Sequence, residues 1–308
     1  MAAQAPFPID PIRTGIVMAY RNDKLIADQV MPRFPVGSES FKWFEYASAE
    51  RLTLLDTEIS RKGAAKEVEF TAAERDSSTK DYGLDDMVPQ SDIDKATGSD
   101  YDPLDHAAEG LTDLILLDRE VRTARAVFNP NNHAYGEALS AGLKFSNRDA
   151  DLLPYLLEQL DKPLMRPNSM TLGRAEWTQL RVNRSLVSAA LGNSGDKGVV
   201  TLAQLKELLE LDDIAIGETR VNIARRGKQA EIKRVWADHC AFTYQAPNVA
   251  VAAGTLTWGL TAQYDDRFAG SWYDKDVGLK GGYCLRVGEQ VKELVIAKEC
   301  GVLLQNVI

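Results

Sequence analysis

Pro167-Asn168-Ser169-Met170-Thr171-Leu172-Gly173-Arg174-Ala175-Glu176-Trp177-Thr178-Gln179-Leu180 decides how the rest of the chain is read. Asn168 to Leu172 predicts a short strand, and Arg174 to Val182 a helix that carries Trp177 and Leu180 on its apolar side. Elements of the same size flank it. Asp151 caps a helix running through Leu160, with Pro154 tolerable because it falls in the first turn. Thr201-x-x-Gln204 is a capping box that opens a helix from Leu202 to Leu211. Ile214 to Val221 and Ala237 to Tyr244 then read as strands. Short helices alternating with strands predict a compact α/β unit over residues 150–248.

Upstream, the best-defined element is a long helix from Leu104 to Phe128. Asp102 and Pro103 supply its N-cap and first position, and Asn129-Pro130 stops it. Leu104, Ala107, Leu111, Leu114, Ile115, Ala124 and Val127 recur at three- and four-residue intervals, with Asp113, Arg119, Glu120 and Arg125 between them. At about 1.5 Å per residue this spine would be roughly 37 Å long. Residues 1–40 read differently: prolines at 6, 8, 11, 32 and 35 break regular structure, apart from a helical stretch from Met18 to Val30. That segment predicts an arm lying on another surface. Phe41-Lys42-Trp43-Phe44-Glu45-Tyr46 is aromatic and strand-like, and Lys66-Glu67-Val68-Glu69-Phe70 alternates charged and apolar with period two. Two strands joined by about twenty polar residues make a hairpin too long for an ordinary connection. After residue 249 the chain is strand-rich: Thr255 to Gln263, a Gly- and Asp-rich loop to Gly282, Tyr283-x-Leu285-x-Val287, and two further apolar runs ending at Ile308.

With 308 residues, 44% of them hydrophobic, the chain can bury two domain-sized cores. No window approaches the roughly 20 apolar residues of a membrane span, and MAAQAPFPID has neither a basic head nor an apolar run, so a soluble, unexported chain is expected. Cys240, Cys284 and Cys300 are odd in number and outside any CxxC, which predicts buried, unpaired thiols. A net charge of -9 opposes tight binding to a polyanion.

The chemistry of a catalytic site does not assemble. His106, His133 and His239 form no HxH or HExxH spacing. His239-Cys240 has the right groups for a base and a nucleophile, but neighbours on a strand face opposite ways. The eight aspartates between Asp81 and Asp105 suggest a calcium loop and fail on spacing, since Ala96 stands where the third ligand should and Gly98 comes one residue late. A solvated acidic connector is expected there. Gly192 to Gly198 lacks the GxxxxGK[ST] and GxSxG spacings and reads as a loop. Trp43-Phe44 and Trp272-Tyr273 sit among acidic or mixed residues and predict interface or core roles instead of base stacking. No cofactor and no metal is expected.

The order of parts resembles the major capsid proteins of tailed bacteriophages with the HK97 fold, over nearly the whole chain. The stretch from Pro167 to Leu180 is similar to the strand-then-helix of the axial domain in phage and Mu-like prophage capsid proteins. Thr201-Leu202-Ala203-Gln204-Leu205, Asp213-Ile214-Ala215-Ile216-Gly217 and Val235-Trp236-Ala237-Asp238 follow there in the same order. The resemblance implies an α+β, HK97-like fold: an N-terminal arm (1–40), an extended loop (41–75), a peripheral domain (76–149 and 249–308) holding the spine helix, and an axial domain (150–248). It implies pentamers and hexamers in an icosahedral head enclosing double-stranded DNA that is contacted weakly, in a virion made in the host cytoplasm. Because the arm starts at Met1, a separate scaffolding protein is implied, together with a portal. Phe41, Trp43, Phe44, Tyr46, Val68 and Phe70 become the candidate subunit contacts. Lys62 and Lys66 lie where some members crosslink, but no matching asparagine or acid is found. An encapsulin-like compartment shell and an α/β enzyme with an unrecognised site are the competing readings.

Overall fold

The computed structural model describes residues 7–46, 54, 57–59, 67, 72–98, 100–192, 198–225, 227–247 and 256–308, with the backbone alone at 44–46 and 72–74. Strands β1 (Arg33–Val36), β4 (Lys80–Pro89), β11 (Gly259–Asp274) and β12 (Gly282–Val295) form one sheet in the order β1-β11-β12-β4. A second sheet, ordered β5-β13-β10-β6-β7, is built from β5 (Tyr135–Ala138), β6 (Ser169–Gly173), β7 (Asp213–Gly217), β10 (His239–Thr243) and β13 (Gly301–Gln305). Two of its strands, β5 and β13, come from outside residues 150–248, so the chain's end is woven into the α/β unit.

The spine predicted from Asp102-Pro103 is helix α4, Pro103–Val127, and Asp102 accepts from the amides of Leu104 and Asp105 as an N-cap does. Its first half buries Leu104, Ala107, Ala108, Leu111 and Ile115 against Leu285 and Val287 of β12 and Ala269 of β11. Strand alternation places Leu285 and Val287 on that face. One expectation fails: Leu114 is exposed, and two charged residues read as solvent-facing, Arg119 and Glu120, are buried. Their partners come from residues 88 to 142 positions away, which helical periodicity cannot register.

Around the first sheet four further expectations are corrected. The helical stretch at Met18 to Val30 is replaced by α1 (Pro11–Ala19) and a single turn, α2 (Ala27–Val30). Asp10 accepts from Ile12 N and Arg13 N with Pro11 at the first position, the same cap as on the spine, and the helix stops where Tyr20 turns extended. The arm lies on its own subunit along 7–36: Val17 is buried beside the spine, Asp10 N donates to Ala269 O (3.0 Å), and β1 pairs in parallel with β11. The acidic connector is a strand and a short helix, β4 and α3 (Gln90–Ala96). Its aspartates are tolerated because β4 is an edge strand, where charge blocks unwanted pairing. The Gly- and Asp-rich loop shrinks to 275–281, since β11 resumes after a register shift between Tyr264 and Phe268, with Asp265 at φ 54°.

The α/β unit follows its expected order more closely. Helices α5 (Leu152–Asp161), α6 (Arg174–Leu180) and α8 (Leu202–Leu209) match, and the capping box at Thr201 and Gln204 is formed in both directions, but the Asp151 side chain accepts from Ser185 Oγ instead of capping α5. Helix α7 (Arg184–Leu191), capped by Asn183, was not anticipated. The strand foreseen from Ile214 to Val221 ends at Gly217, and the chain departs into a separate hairpin, β8 (Arg220–Asn222) with β9 (Ile232–Arg234). Met170, Leu172, Trp177, Leu180, Leu205 and Phe242 meet in this unit's core. Of the loop expected at Gly192 to Gly198, residues 193–197 lie outside the described residues.

Candidate assembly surfaces

The candidate contacts centre on a two-stranded sheet. Strand β2 (Ser40–Tyr46) pairs antiparallel with β3 (Ala72–Ser78), in a register that sets Phe41 opposite Ser77, Trp43 opposite Arg75, Phe44 opposite Glu74 and Tyr46 opposite Ala72. The return strand is therefore Ala72–Ser78, a correction to the expected Lys66 to Phe70. Of that earlier stretch only Glu67 is among the described residues, so Val68 and Phe70 lie outside them. The reason is chemical: Ala-Ala-Glu-Arg-Asp-Ser-Ser has no apolar alternation to mark it as a strand, and its backbone pairing with β2 defines it. Phe41, at the base, packs against Leu260, Ala262 and Leu294 of its own chain. Trp43 is half-buried. Among the described residues no third strand joins this sheet, and two strands alone are marginal in water.

A buried polar junction ties the arm to the spine. Glu120, fully buried, accepts from Ile26 N (3.0 Å), Ala27 N (2.8 Å), Thr219 Oγ1 (3.3 Å) and Trp236 Nε1 (2.6 Å). One side chain of the spine thus holds the start of α2 in the arm and the α/β unit together. Its neighbour Arg119 donates to Met31 O and Thr261 Oγ1, both at 3.1 Å, and pairs with Asp28 at 2.5 Å. Arg33 joins Asp28 to Glu289, each at 2.9 Å. Burial pushes the Asp28 carboxyl up, but Arg119 and Arg33 outweigh it and hold it below its ordinary value. A sequence signal existed in the adjacent charged pair within a helix, but nothing local distinguishes such a pair from a solvated one.

The groups with reactive potential are placed for structure. Cys240 is buried in the α/β core, where burial pushes its thiol well up, while His239 Nδ1 faces away and accepts from Asn306 N at 3.3 Å. Burial pushes His133 down to about 4; it stacks on Trp258 at 5.0 Å and its Nε2 lies 2.7 Å from Val127 O. All three cysteines are buried and free, as the sequence predicts. Trp272 is covered by Phe7 (5.3 Å between rings), with Arg286 above both and bound to Asp85 through two hydrogen bonds of 2.6 and 2.5 Å. Among the described residues no three His, Cys, Asp or Glu side chains gather to hold a metal, and no helix is long and apolar enough to cross a membrane.

No protein-family model matches the chain. Solved structures share its fold: a phage-related protein from Bordetella bronchiseptica RB50 superposes with a TM-score of 0.75 over 99% of each chain at 19% identity. The capsid of cyanophage P-SCSP1u does so at 0.61, over 99% of this chain and 92% of that one, at 12% identity. The fold is α+β and HK97-like. Among curated relatives, the major capsid protein of Pseudomonas phage JBD67 is 47% identical over 308 residues, 99% of either chain. That of Burkholderia phage BcepMu is 28% identical over 218 residues, 68% of this chain and 69% of the relative. The chain belongs to the major capsid proteins of bacteriophages.

Proposed function

We propose that this capsid protein self-assembles as pentamers and hexamers into a closed icosahedral shell that encloses phage double-stranded DNA. The observation that carries the reading is the β2–β3 hairpin, an aromatic strand that has a single partner strand among the described residues. In a shell one subunit type must meet several near-equivalent neighbours, and an extended element of this kind supplies a contact that a compact body cannot. Residues 41–75 form the extended loop that reaches over the adjacent subunit, with Phe41 at its root and Trp43, Phe44 and Tyr46 along it. Residues 150–248 form the axial domain around the local symmetry axis. The segments 76–149 and 249–308 make the peripheral domain, with β5 and β13 crossing back to stiffen the junction.

The protein's role is structural. Its net charge of -9 keeps DNA loosely held inside the virion head, because few phosphate counterions would be released on contact. A separate scaffolding protein and a portal complete the assembly system. The test is sedimentation of the purified protein under assembly conditions: the reading predicts a discrete boundary of megadalton mass, and a stable small oligomer at every concentration overturns it.

A further inference from the structure

The chain's charge is unevenly distributed. Hairpin residues 220–234 carry six basic side chains, Arg220, Arg225, Arg226, Lys228, Lys233 and Arg234, against one acidic, Glu231. The described members are all exposed, and Arg220, Arg225, Lys228 and Arg234 make no ion pair among the described residues. Where the hairpin's strands give way to its loop the exposed surface turns apolar: Ile223 is 47% and Ile232 55% accessible, beside a backbone bond from Ile223 N to Glu231 O of 2.9 Å. Residues 81–105 hold the opposite excess, eight aspartates to one lysine, Lys95; Asp85, Asp92, Asp94, Asp102 and Asp105 pair with cations of their own chain, and Asp81, Asp86 and Asp100 make no ion pair among the described residues. There the edge of β4, helix α3 and the start of the spine enclose a groove of about 520 Å³. Met87 (58% accessible) and Tyr101 (54%) lie on it, with Asp86 beside them and Asp92, which pairs with Lys95 of the same groove at 3.1 Å.

We infer that the basic hairpin of one subunit docks into the acidic groove of a second copy of this chain, Ile223 and Ile232 covering Met87 and Tyr101 while Arg225 and Lys228 meet Asp86 and Asp92. The inference rests on the shell reading above. A subunit of net charge -9 repels its own copies, so a closed ring needs two different patches of opposite sign that meet head to tail. These two patches are opposite in charge, both edged with exposed apolar side chains, and present in equal number. Exposed isoleucines distinguish this surface from a polyanion site, since phosphates make no use of them while protein interfaces do.

Charge exchange in the full chain tests it. Arg225→Glu with Lys228→Glu, and separately Asp86→Lys with Asp92→Lys, should each lower the yield of sedimenting particles about tenfold, because each replaces attraction by like-charge contact. Carrying both pairs in one chain should restore the yield to within about twofold, with the ion pairs reversed. All four positions are at the surface, and the restored variant also shows that each exchange is compatible with folding. Unchanged yield with the hairpin reversed, or a combined variant no better than either parent, overturns the inference while the shell reading stands. Normal yield with particles that retain less DNA overturns it in favour of a nucleic-acid contact. Absence of particles from the unaltered chain overturns the shell reading itself, and this inference with it.

Discussion

Replacing Glu120 by alanine is the most informative single change inside the subunit. The side chain is fully buried and accepts four hydrogen bonds, from Ile26 N, Ala27 N, Thr219 Oγ1 and Trp236 Nε1. Each buried donor left without a partner costs about 1–3 kcal/mol. The four share one acceptor and cannot be added independently, so the expected loss is that of breaking one buried polar junction, about 3–5 kcal/mol. For a chain of this size a loss of 1 kcal/mol lowers the melting temperature by about 2–4 °C, which puts the shift near 10 °C. Glu120→Gln should cost roughly half as much, because one acceptor oxygen remains while the new amide group faces donors. Differential scanning fluorimetry gives the magnitude, and amide hydrogen exchange at Ile26 and Ala27 gives the location. A shift under about 2 °C with unchanged protection at those two amides would refute the assignment of Glu120 as the clasp between arm, spine and α/β unit.

Trp43→Ala should leave the subunit's melting and circular dichroism unchanged but reduce particle yield, as removal of an aromatic anchor does at other interfaces, by a few kcal/mol per contact; a misfolded subunit would place Trp43 in its own core instead. His133, held at about 4 against an ordinary 6.5, refuses a proton that the unfolded chain accepts. Stability should therefore fall as pH drops from 6.5 towards 4, by about 3 kcal/mol over the full window. His133→Gln should flatten that part of the melting-versus-pH curve, and an identical slope in the variant would contradict the account. At Gly217 an added Cβ would stand 2.1 Å from Cδ1 of buried Trp236, so Gly217→Ala should destabilise by about 1–3 kcal/mol in a denaturant titration.

Elements whose cause is local were legible in the sequence. The spine carries its cap and its stop immediately beside its own 25 residues, and both were read correctly, while its periodic face was read correctly except at Leu114, Arg119 and Glu120. The capping box at Thr201 worked for the same reason. Asp10-Pro11 is the same local signal, but the surrounding prolines masked it and α1 was missed. What escaped depends on partners distant in sequence. Arg119 and Glu120 look solvated until residues 26–33, 219 and 236 are brought onto the spine. β3 has no apolar pattern at all, and only its pairing with β2 defines it. Of the six candidate contacts, Phe41 turned out to pack against its own chain, Trp43 is half-buried on the hairpin, and the side chains of the other four lie outside the described residues. The basic hairpin was hidden by averaging, since a whole-chain charge of -9 conceals a local excess of the opposite sign.

The central claim is that many copies of this chain close into a shell. A negative-stain electron micrograph of the purified protein under assembly conditions tests it most directly. The account predicts uniform, closed, polyhedral particles with pentameric and hexameric units on their surface. A field of small discrete oligomers, or of open aggregates with no closed particles, would contradict it.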